Sequence, residues 1–302
     1  MEITRIALGC GNFGGVGSAP EFFGQGESRD EAFALMDAAW ELGVRHFDTA
    51  ASYGGGRSER WLGAWMAERG RRPAVTTKVF HSVTGDPTDK GLAPKRIRRE
   101  LRGSLERLGL ERVDVYLIHE PDPETPLEDT LATFDELVRE GLVSAVGASN
   151  VDVEYLERGL DRFEWVQNSY SLLDRQAEDV LAFCARAGVR FAAYGPLAGG
   201  WMTGKYRRGE APPTGSRMTL RPEPYERFRT DRTFDALDAL AAAARERGVD
   251  TATLALAWLL ADDRVTSVIV GPRRPEHLEP VRAALELPLT PAERDELGAL
   301  FG

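Results

Sequence analysis

The chain has 302 residues, of which 42% are hydrophobic and 28% charged, a composition typical of a globular protein with a large buried core. Its formal net charge of −10 argues against nucleic-acid or anionic-membrane partners, since both require concentrated positive charge. Its two cysteines, Cys10 and Cys184, are too few for a disulfide framework or a thiolate metal site. The first residues also lack the pattern of a signal peptide, so we expect a cytoplasmic protein without a bound metal.

Short apolar runs alternate with helical periodicity along the whole chain. The apolar runs predict eight strands, at residues 5–9, 45–48, 74–79, 114–119, 144–149, 164–168, 190–194 and 266–271. Signals for helix starts lie between them: a capping box at Ser28 and Glu31, a cap at Ser58, prolines at Pro94 and Pro126, and a second capping box at Thr290 and Glu293. Because parallel neighbours need a crossover helix, the alternation predicts parallel pairing. Eight strands in a chain of this length favour the α/β class and a single-domain (β/α)8 TIM barrel over residues 1–302.

One segment, at about residues 195–232, interrupts this alternation. It is rich in Gly, Pro and Arg and is too long to be a plain connection between a strand and a helix. Loops of this size in a compact domain are usually functional. We therefore expect this segment, called the long loop below, to take part in the site.

Four polar side chains lie at or just after the ends of predicted strands, where active sites of such barrels lie. Asp48 ends the second strand and Tyr53 follows it, Lys78 is near the end of the third, and His119 ends the fourth. Each residue alone has an ordinary structural explanation. Together they make a proton-donor assembly, in which the ammonium lowers the pKa of the phenol, the carboxylate keeps the lysine charged, and the imidazole orients a substrate carbonyl. We call these four residues the tetrad.

A series of motifs along essentially the whole chain resembles the aldo-keto reductase family. The motifs are FDTAASYGGGRSE, TTKVF, VDVYLIHEPDP, VGASN, VQNSYSLLD, YGPLAGGWMTGKY and SVIVGPRRPEHLEP. The resemblance implies that the tetrad is catalytic, that Tyr53 donates the proton, and that a small aldehyde or ketone is reduced to the alcohol by hydride transfer from a nicotinamide coenzyme. It also implies that the long loop lies along the coenzyme.

The resemblance further implies a set of coenzyme-binding residues, which are Asn12, Ser149, Asn150, Gln167, Tyr194, Gly195, Pro196, Leu197, Gly199, Lys205, Arg217, Gly271, Arg273, Arg274 and His277. Arg273 and Arg274 favour NADPH over NADH, because guanidinium groups suit a 2′-phosphate, although NADH stays possible. His277, Pro280 and Val281 stand where the family often has a glutamine and a Glu–Asn pair, so the adenine contacts stay open. An aromatic group is expected to line the substrate pocket: Phe13, Phe22, Phe23, Phe80 and Trp201.

Three other interpretations compete with this one. Residues 9–14 match the pattern GxGxxG, but a dinucleotide-binding turn opens directly into a helix, and here a Pro- and Gly-containing stretch intervenes. A Schiff-base lyase with Lys78 as its nucleophile is a second possibility. A cofactor-sensing regulatory subunit, a role that the family also contains, is the third, and retention of the whole tetrad favours turnover over it. The substrate, the reaction direction and the oligomeric state stay open.

Overall fold

The computed structural model describes residues 2–159 and 161–302, and at its centre is a closed barrel of eight parallel strands. Each strand pairs with the next one along the chain, and the last pairs with the first, where Val268 lies opposite Ile6. The strands are β1 Ile6–Gly9, β2 His46–Asp48, β3 Ala74–Val79, β4 Val113–Ile118, β5 Val143–Ser149, β6 Trp165–Ser169, β7 Arg190–Tyr194 and β8 Val265–Val270. The predicted single-domain TIM barrel is confirmed, and the predicted strand ends lie within one residue of the observed ones.

Helices surround the barrel and cover the outer face of its strands, apart from α7, a four-residue helix in the long loop. They are α1 Arg29–Glu41, α2 Arg57–Arg69, α3 Pro94–Leu108, α4 Leu127–Arg139, α5 Val153–Arg158, α6 Glu178–Ala187, α7 Arg217–Leu220, α8 Asp231–Glu246, α9 Thr251–Leu260, α10 Glu279–Leu285 and α11 Pro291–Ala299. Every residue of β3 and β4 is buried, because parallel strands are covered on both faces. Among the described residues, no helix has both the length and the apolar character that crossing a bilayer requires.

Two apolar clusters form the core. The larger lies between the strands and the helices and includes Phe47 of β2, Phe134 of α4 and Trp258 of α9. The smaller includes Val115 and Leu117, which alternate along β4 and therefore share one face of that strand. This smaller cluster fills the barrel, which is a packed core, so a ligand site is expected at its rim.

The predicted helix starts are confirmed at both capping boxes, where Ser28 pairs with Glu31 and Thr290 with Glu293. The predicted cap at Ser58 is wrong. Helix α2 begins at Arg57 with Gly56 as its N-cap, so Ser58 lies inside the first turn. Its buried hydroxyl donates to the Cys10 carbonyl at 2.9 Å and bonds the Thr49 hydroxyl at 2.7 Å. This serine therefore joins α2 to the segments that follow β1 and β2.

The long loop contains three short helical segments, at Ala198–Thr203, at α7 and at Glu226–Phe228. The Trp201 indole packs against Tyr206 and Phe228 of this loop and against Phe234 of α8. The indole is only 2% exposed. The structure therefore places Trp201 between the long loop and α8, where it stabilises the loop's shape.

Candidate functional site

The tetrad lies at the carboxyl ends of β2, β3 and β4. Asp48 is the last residue of β2, Lys78 lies in β3, and His119 directly follows β4, where its N–H donates to the Val79 carbonyl at 2.9 Å. Tyr53 lies in a short 3-10 segment after β2, Tyr53–Gly56. This segment passes so close to the loop after β1 that a Cβ on Gly54 would lie 2.4 Å from the Phe13 carbonyl oxygen. A glycine is therefore required there for Tyr53 to turn toward the rim of the barrel.

The tetrad side chains are joined by hydrogen bonds centred on Lys78. Its Nζ donates to Asp48 Oδ1 at 2.6 Å and to the Thr49 carbonyl at 2.9 Å, and it lies 3.5 Å from the Tyr53 hydroxyl. The second Asp48 oxygen accepts from Gln167 Nε2 at 2.8 Å. Both carboxylate oxygens thus have partners, which fixes the carboxylate and, through it, the ammonium.

The electrostatics of these groups partly differ from the sequence-based expectation. Burial raises the pKa of Tyr53, and the opposing effect of the Lys78 ammonium is the smaller of the two. The expectation that Lys78 would bring the phenol pKa below its ordinary value is therefore wrong, because removal from water disfavours the phenolate more strongly. Burial also acts to lower the pKa of Lys78, but Asp48 and Tyr53 outweigh it, so the net direction is upward. The result is a neutral phenol beside a charged ammonium.

His119 stands on the other side of Tyr53, with 5.5 Å between the ring centroids. Burial, together with the nearby Lys78 and His81, lowers the pKa of His119 well below its ordinary value. The imidazole is therefore neutral at neutral pH, and a neutral imidazole both donates and accepts a hydrogen bond. Its Nδ1 is buried and has no partner among the described residues.

A group of amide and hydroxyl side chains adjoins the tetrad at the ends of β5, β6 and β7. Asn150 is central to it: its Nδ2 donates to the His119 carbonyl at 2.9 Å, and its Oδ1 accepts from the Tyr194 hydroxyl at 2.6 Å. Ser149 Oγ donates to the Gln167 carbonyl at 2.7 Å. The structure thus brings these four predicted coenzyme residues together next to the tetrad. They offer the donors and acceptors that a carboxamide requires.

Three cations form a second group, where the long loop meets the segments after β1 and β8. The pKa of Lys205 is lowered by burial and by the nearby charges of Arg217 and Arg273. Arg217 donates to Asn12 Oδ1, and Arg273 donates to Glu27 and to the Gly215 carbonyl. Cations whose charges act on one another favour the binding of an anion with more than one charge. The diphosphate of a nicotinamide coenzyme fits this chemistry.

The other predicted coenzyme residues follow β7 and β8. Gly195, Pro196, Leu197 and Gly199 form the start of the long loop, directly after β7. Gly271 follows β8, with open space where a Cβ would be. His277 Nδ1 accepts from the Arg273 backbone N–H at 3.2 Å. Arg274 is exposed, and its charge is felt at His277 and Glu31.

The predicted aromatic group is only partly gathered at the rim. Phe13 and Phe80 are buried, and Phe22 and Phe23 are half-buried in the segment after β1. Phe23 lies against Gly55, close to Tyr53 in the chain, where a Cβ would meet its ring at 3.2 Å. Trp201 is buried between the long loop and α8 instead. Cys10, expected to be a packing residue, is fully buried, and burial raises its pKa well above the ordinary value.

The structure adds polar residues that sequence reasoning missed. His81 lies beside His119 with ring centroids 4.8 Å apart, and its Nε2 is 3.2 Å from Glu120 Oε1. Glu27 reaches the cation group from the segment before α1. His81 and Glu120 each stand just after a strand end, so reading one or two residues further would have found them. Glu27 carries no comparable signal, because only the folded chain brings it to Arg273. Within residues 2–159 and 161–302, no group of three or more His, Cys, Asp or Glu side chains could hold a metal ion.

Comparisons with known proteins identify one family. The family model described as "Aldo/keto reductase family" matches residues 5–300. A probable voltage-gated potassium channel subunit beta from Oryza sativa subsp. japonica is 34% identical over 92% of this chain and 89% of its own length. The NADH-specific methylglyoxal reductase of Escherichia coli (strain K12) is 30% identical over 97% and 93%.

A solved structure gives the same result. The glycerol dehydrogenase from Gluconobacter oxydans superimposes with a TM-score of 0.86 at 27% identity, covering 99% of this chain and 92% of that one. Its agreement with the barrel described above extends the family match from sequence to architecture. The chain therefore belongs to the aldo/keto reductase family, a family of oxidoreductases that use a nicotinamide coenzyme.

Proposed function

We propose that the protein reduces an aldehyde or ketone to the alcohol with NADPH, and that Tyr53 donates the proton. The observation that carries this proposal is the buried array of Asp48, Lys78 and Tyr53 beside a neutral His119. A neutral phenol has a proton to give, and the adjacent ammonium stabilises the phenolate that remains.

The coenzyme, when bound, supplies the hydride that goes to the carbonyl carbon. His119 donates a hydrogen bond to the carbonyl oxygen and orients it toward the phenol. As negative charge develops on that oxygen, Tyr53 Oη delivers its proton, and the charge of Lys78 offsets the charge left on the phenolate. Asp48 does not touch the substrate, but it keeps Lys78 charged and in place. This division of roles is general acid catalysis supported by a preorganised charge.

The alternatives of lyase and regulatory subunit are less well supported. A Schiff-base lyase needs a neutral amine as nucleophile, whereas the ion pair with Asp48 raises the pKa of Lys78. A regulatory role is favoured only by relatives named as channel subunits. Steady consumption of NADPH in the presence of a carbonyl compound would separate turnover from sensing. A panel of aldehydes, ketones and keto sugars is the appropriate screen, because the rim of the barrel combines aromatic rings with the polar His81 and Glu120.

The proposed preference for NADPH rests on Arg273, a member of the cation group, and on the adjacent Arg274. Replacing both by alanine is expected to raise the Kd for NADPH much more than that for NADH, because only NADPH carries the 2′-phosphate that a guanidinium binds well. Isothermal titration of both coenzymes measures this directly. Equal affinity of the parent protein for NADPH and NADH would contradict the proposed preference.

A further inference from the structure

Glu27 is held rigidly beside the cation group by the backbone around it. It forms a parallel bridge with Phe13: its N–H donates to the Asn12 carbonyl, and its carbonyl accepts from the Gly14 N–H, both at 2.9 Å. The preceding residue, Gly26, packs so tightly here that a Cβ would lie 1.9 Å from the Asn12 carbonyl oxygen. The position of the Glu27 backbone is therefore set by the loop after β1, the same loop that contacts Arg217.

The side chain of Glu27 is buried, and only one of its two carboxylate oxygens has a hydrogen-bond partner among the described residues. It is 3% exposed, and its Oε1 accepts from Arg273 Nε at 3.0 Å. Its Oε2 is also buried and has no hydrogen-bond partner among the described residues. Burial raises the pKa of Glu27, against the opposing influence of Arg273 and Arg217. An unpartnered carboxylate oxygen in a buried position is costly, so this oxygen is suited to accept a hydrogen bond from a ligand.

NADH and NADPH differ only at the 2′ position of the adenosine ribose, where a carboxylate such as Glu27 and a guanidinium such as Arg273 would distinguish them. The adenosine ribose of NADH carries a 2′-hydroxyl, which is a hydrogen-bond donor to a carboxylate. NADPH carries a 2′-phosphate instead. At neutral pH this group is mostly deprotonated, so it is a poor hydrogen-bond donor and its negative charge repels a carboxylate. In other dinucleotide sites an acidic residue accepts from the 2′-hydroxyl, whereas an arginine accommodates the 2′-phosphate. Here an acid and an arginine are in direct contact.

We propose that Glu27 is a coenzyme-specificity residue, which accepts a hydrogen bond from the adenosine 2′-hydroxyl of NADH through Oε2 and weakens the binding of NADPH. Arg273 and Glu27 then act in opposite directions. Arg273 attracts the 2′-phosphate, and Glu27 both neutralises part of that attraction and offers NADH an interaction that NADPH lacks. The protein consequently accepts both coenzymes, with a smaller preference for NADPH than Arg273 alone would give. This assignment rests on the coenzyme site of the proposed function.

The test is the Kd of each coenzyme, measured by calorimetric titration, for the parent and for Glu27→Gln. The amide keeps the size of the side chain and can still accept from Arg273, but it removes the charge. We expect the Kd of NADPH to fall about tenfold, since one like charge is removed. We expect the Kd of NADH to rise about tenfold, since a hydrogen bond to a charged acceptor is weakened. Glu276→Gln is the matched control, an exposed acid after β8, and it should leave the ratio of the two Kd values unchanged.

Several results would overturn the assignment. If Glu27→Gln weakens NADPH more than NADH, Glu27 only positions Arg273. If the ratio does not change, or changes equally in the Glu276→Gln control, Glu27 does not discriminate. A second measurement needs no variant: the parent should bind the 2′-deoxyadenosine analogue of NADH about tenfold more weakly than NADH, and equal binding would contradict the proposed contact. Because these are binding measurements, a failure of carbonyl reduction would overturn the proposed activity separately, whereas a parent that binds neither coenzyme would overturn both.

Discussion

Replacing Tyr53 by phenylalanine removes one hydroxyl and leaves the ring in place. The hydroxyl is the most distant of the three oxygens around Lys78 Nζ, at 3.5 Å, while the Asp48 carboxylate at 2.6 Å and the Thr49 carbonyl at 2.9 Å remain in the variant. The buried ammonium therefore keeps its main partners, and the free energy of unfolding should change by less than about 1 kcal/mol. Under the proposed mechanism the variant has no proton donor, so we expect the rate of carbonyl reduction to fall about 10²–10⁴-fold.

The assay is the absorbance of NADPH during turnover, with the Kd of NADPH and the thermal midpoint measured on the same preparation. Lys78→Met is the companion variant, and it is the less selective one, since it leaves the buried Asp48 with Gln167 as its remaining side-chain partner and should cost about 3–5 kcal/mol of stability. The two reductions in rate should not multiply in the double variant, because both residues serve one proton transfer. A kcat for Tyr53→Phe within a few-fold of the parent, with NADPH still bound, would refute the reasoning and make His119 the candidate donor.

Further predictions concern pH, the anion site and the long loop. Burial lowers the pKa of His46 from 6.5 to about 4, so the unfolded chain takes up an extra proton as the pH falls through this range. Stability should then fall by up to about 1.4 kcal/mol per pH unit from this residue. The free energy of unfolding in urea, measured for His46→Asn at several pH values, should lack this contribution. An equal dependence on pH in the variant and the parent would contradict the prediction. Arg217→Ala should raise the Kd of NADPH and NADH alike, as both carry the diphosphate, and a selective effect would argue against this role. Hydrogen exchange across residues 199–232 should slow when NADPH binds, as expected of a lid, and unchanged protection would count against one.

The barrel could be predicted from the sequence because its strands are buried on both faces. Such strands read as short apolar runs, and their ends point to Asp48, Lys78 and His119 without any knowledge of contacts. What sequence reasoning missed depends on three-dimensional packing. Ser58 has the residue type of a helix cap, but the turn before α2 buries it against the loop after β1. The pKa of Tyr53 depends on how much water burial removes, which no motif encodes.

Sequence reasoning is limited in the same way at the cation group. Arg273 and Arg217 could be singled out as cations near the motifs, but their partners could not. Glu27 lies 246 positions from Arg273 in the sequence, in a segment with no recognisable pattern. Trp201 is aromatic and lies in a loop that the sequence predicts to be functional, which is why the sequence alone assigns it to the substrate pocket. Whether such a ring faces a ligand or packs inside the protein is decided by neighbours such as Phe234 of α8, which the sequence does not place.

The closure of the barrel by β8 against β1 has a consequence for how the protein is made on the ribosome. The tetrad residues all lie before residue 120, so they emerge early, but β1 has no partner on one edge until β8 has been synthesised. Arg273, which completes the cation group, follows β8 by three residues. A nascent chain therefore carries all four tetrad residues before β8 can close the barrel and before the cation group is complete.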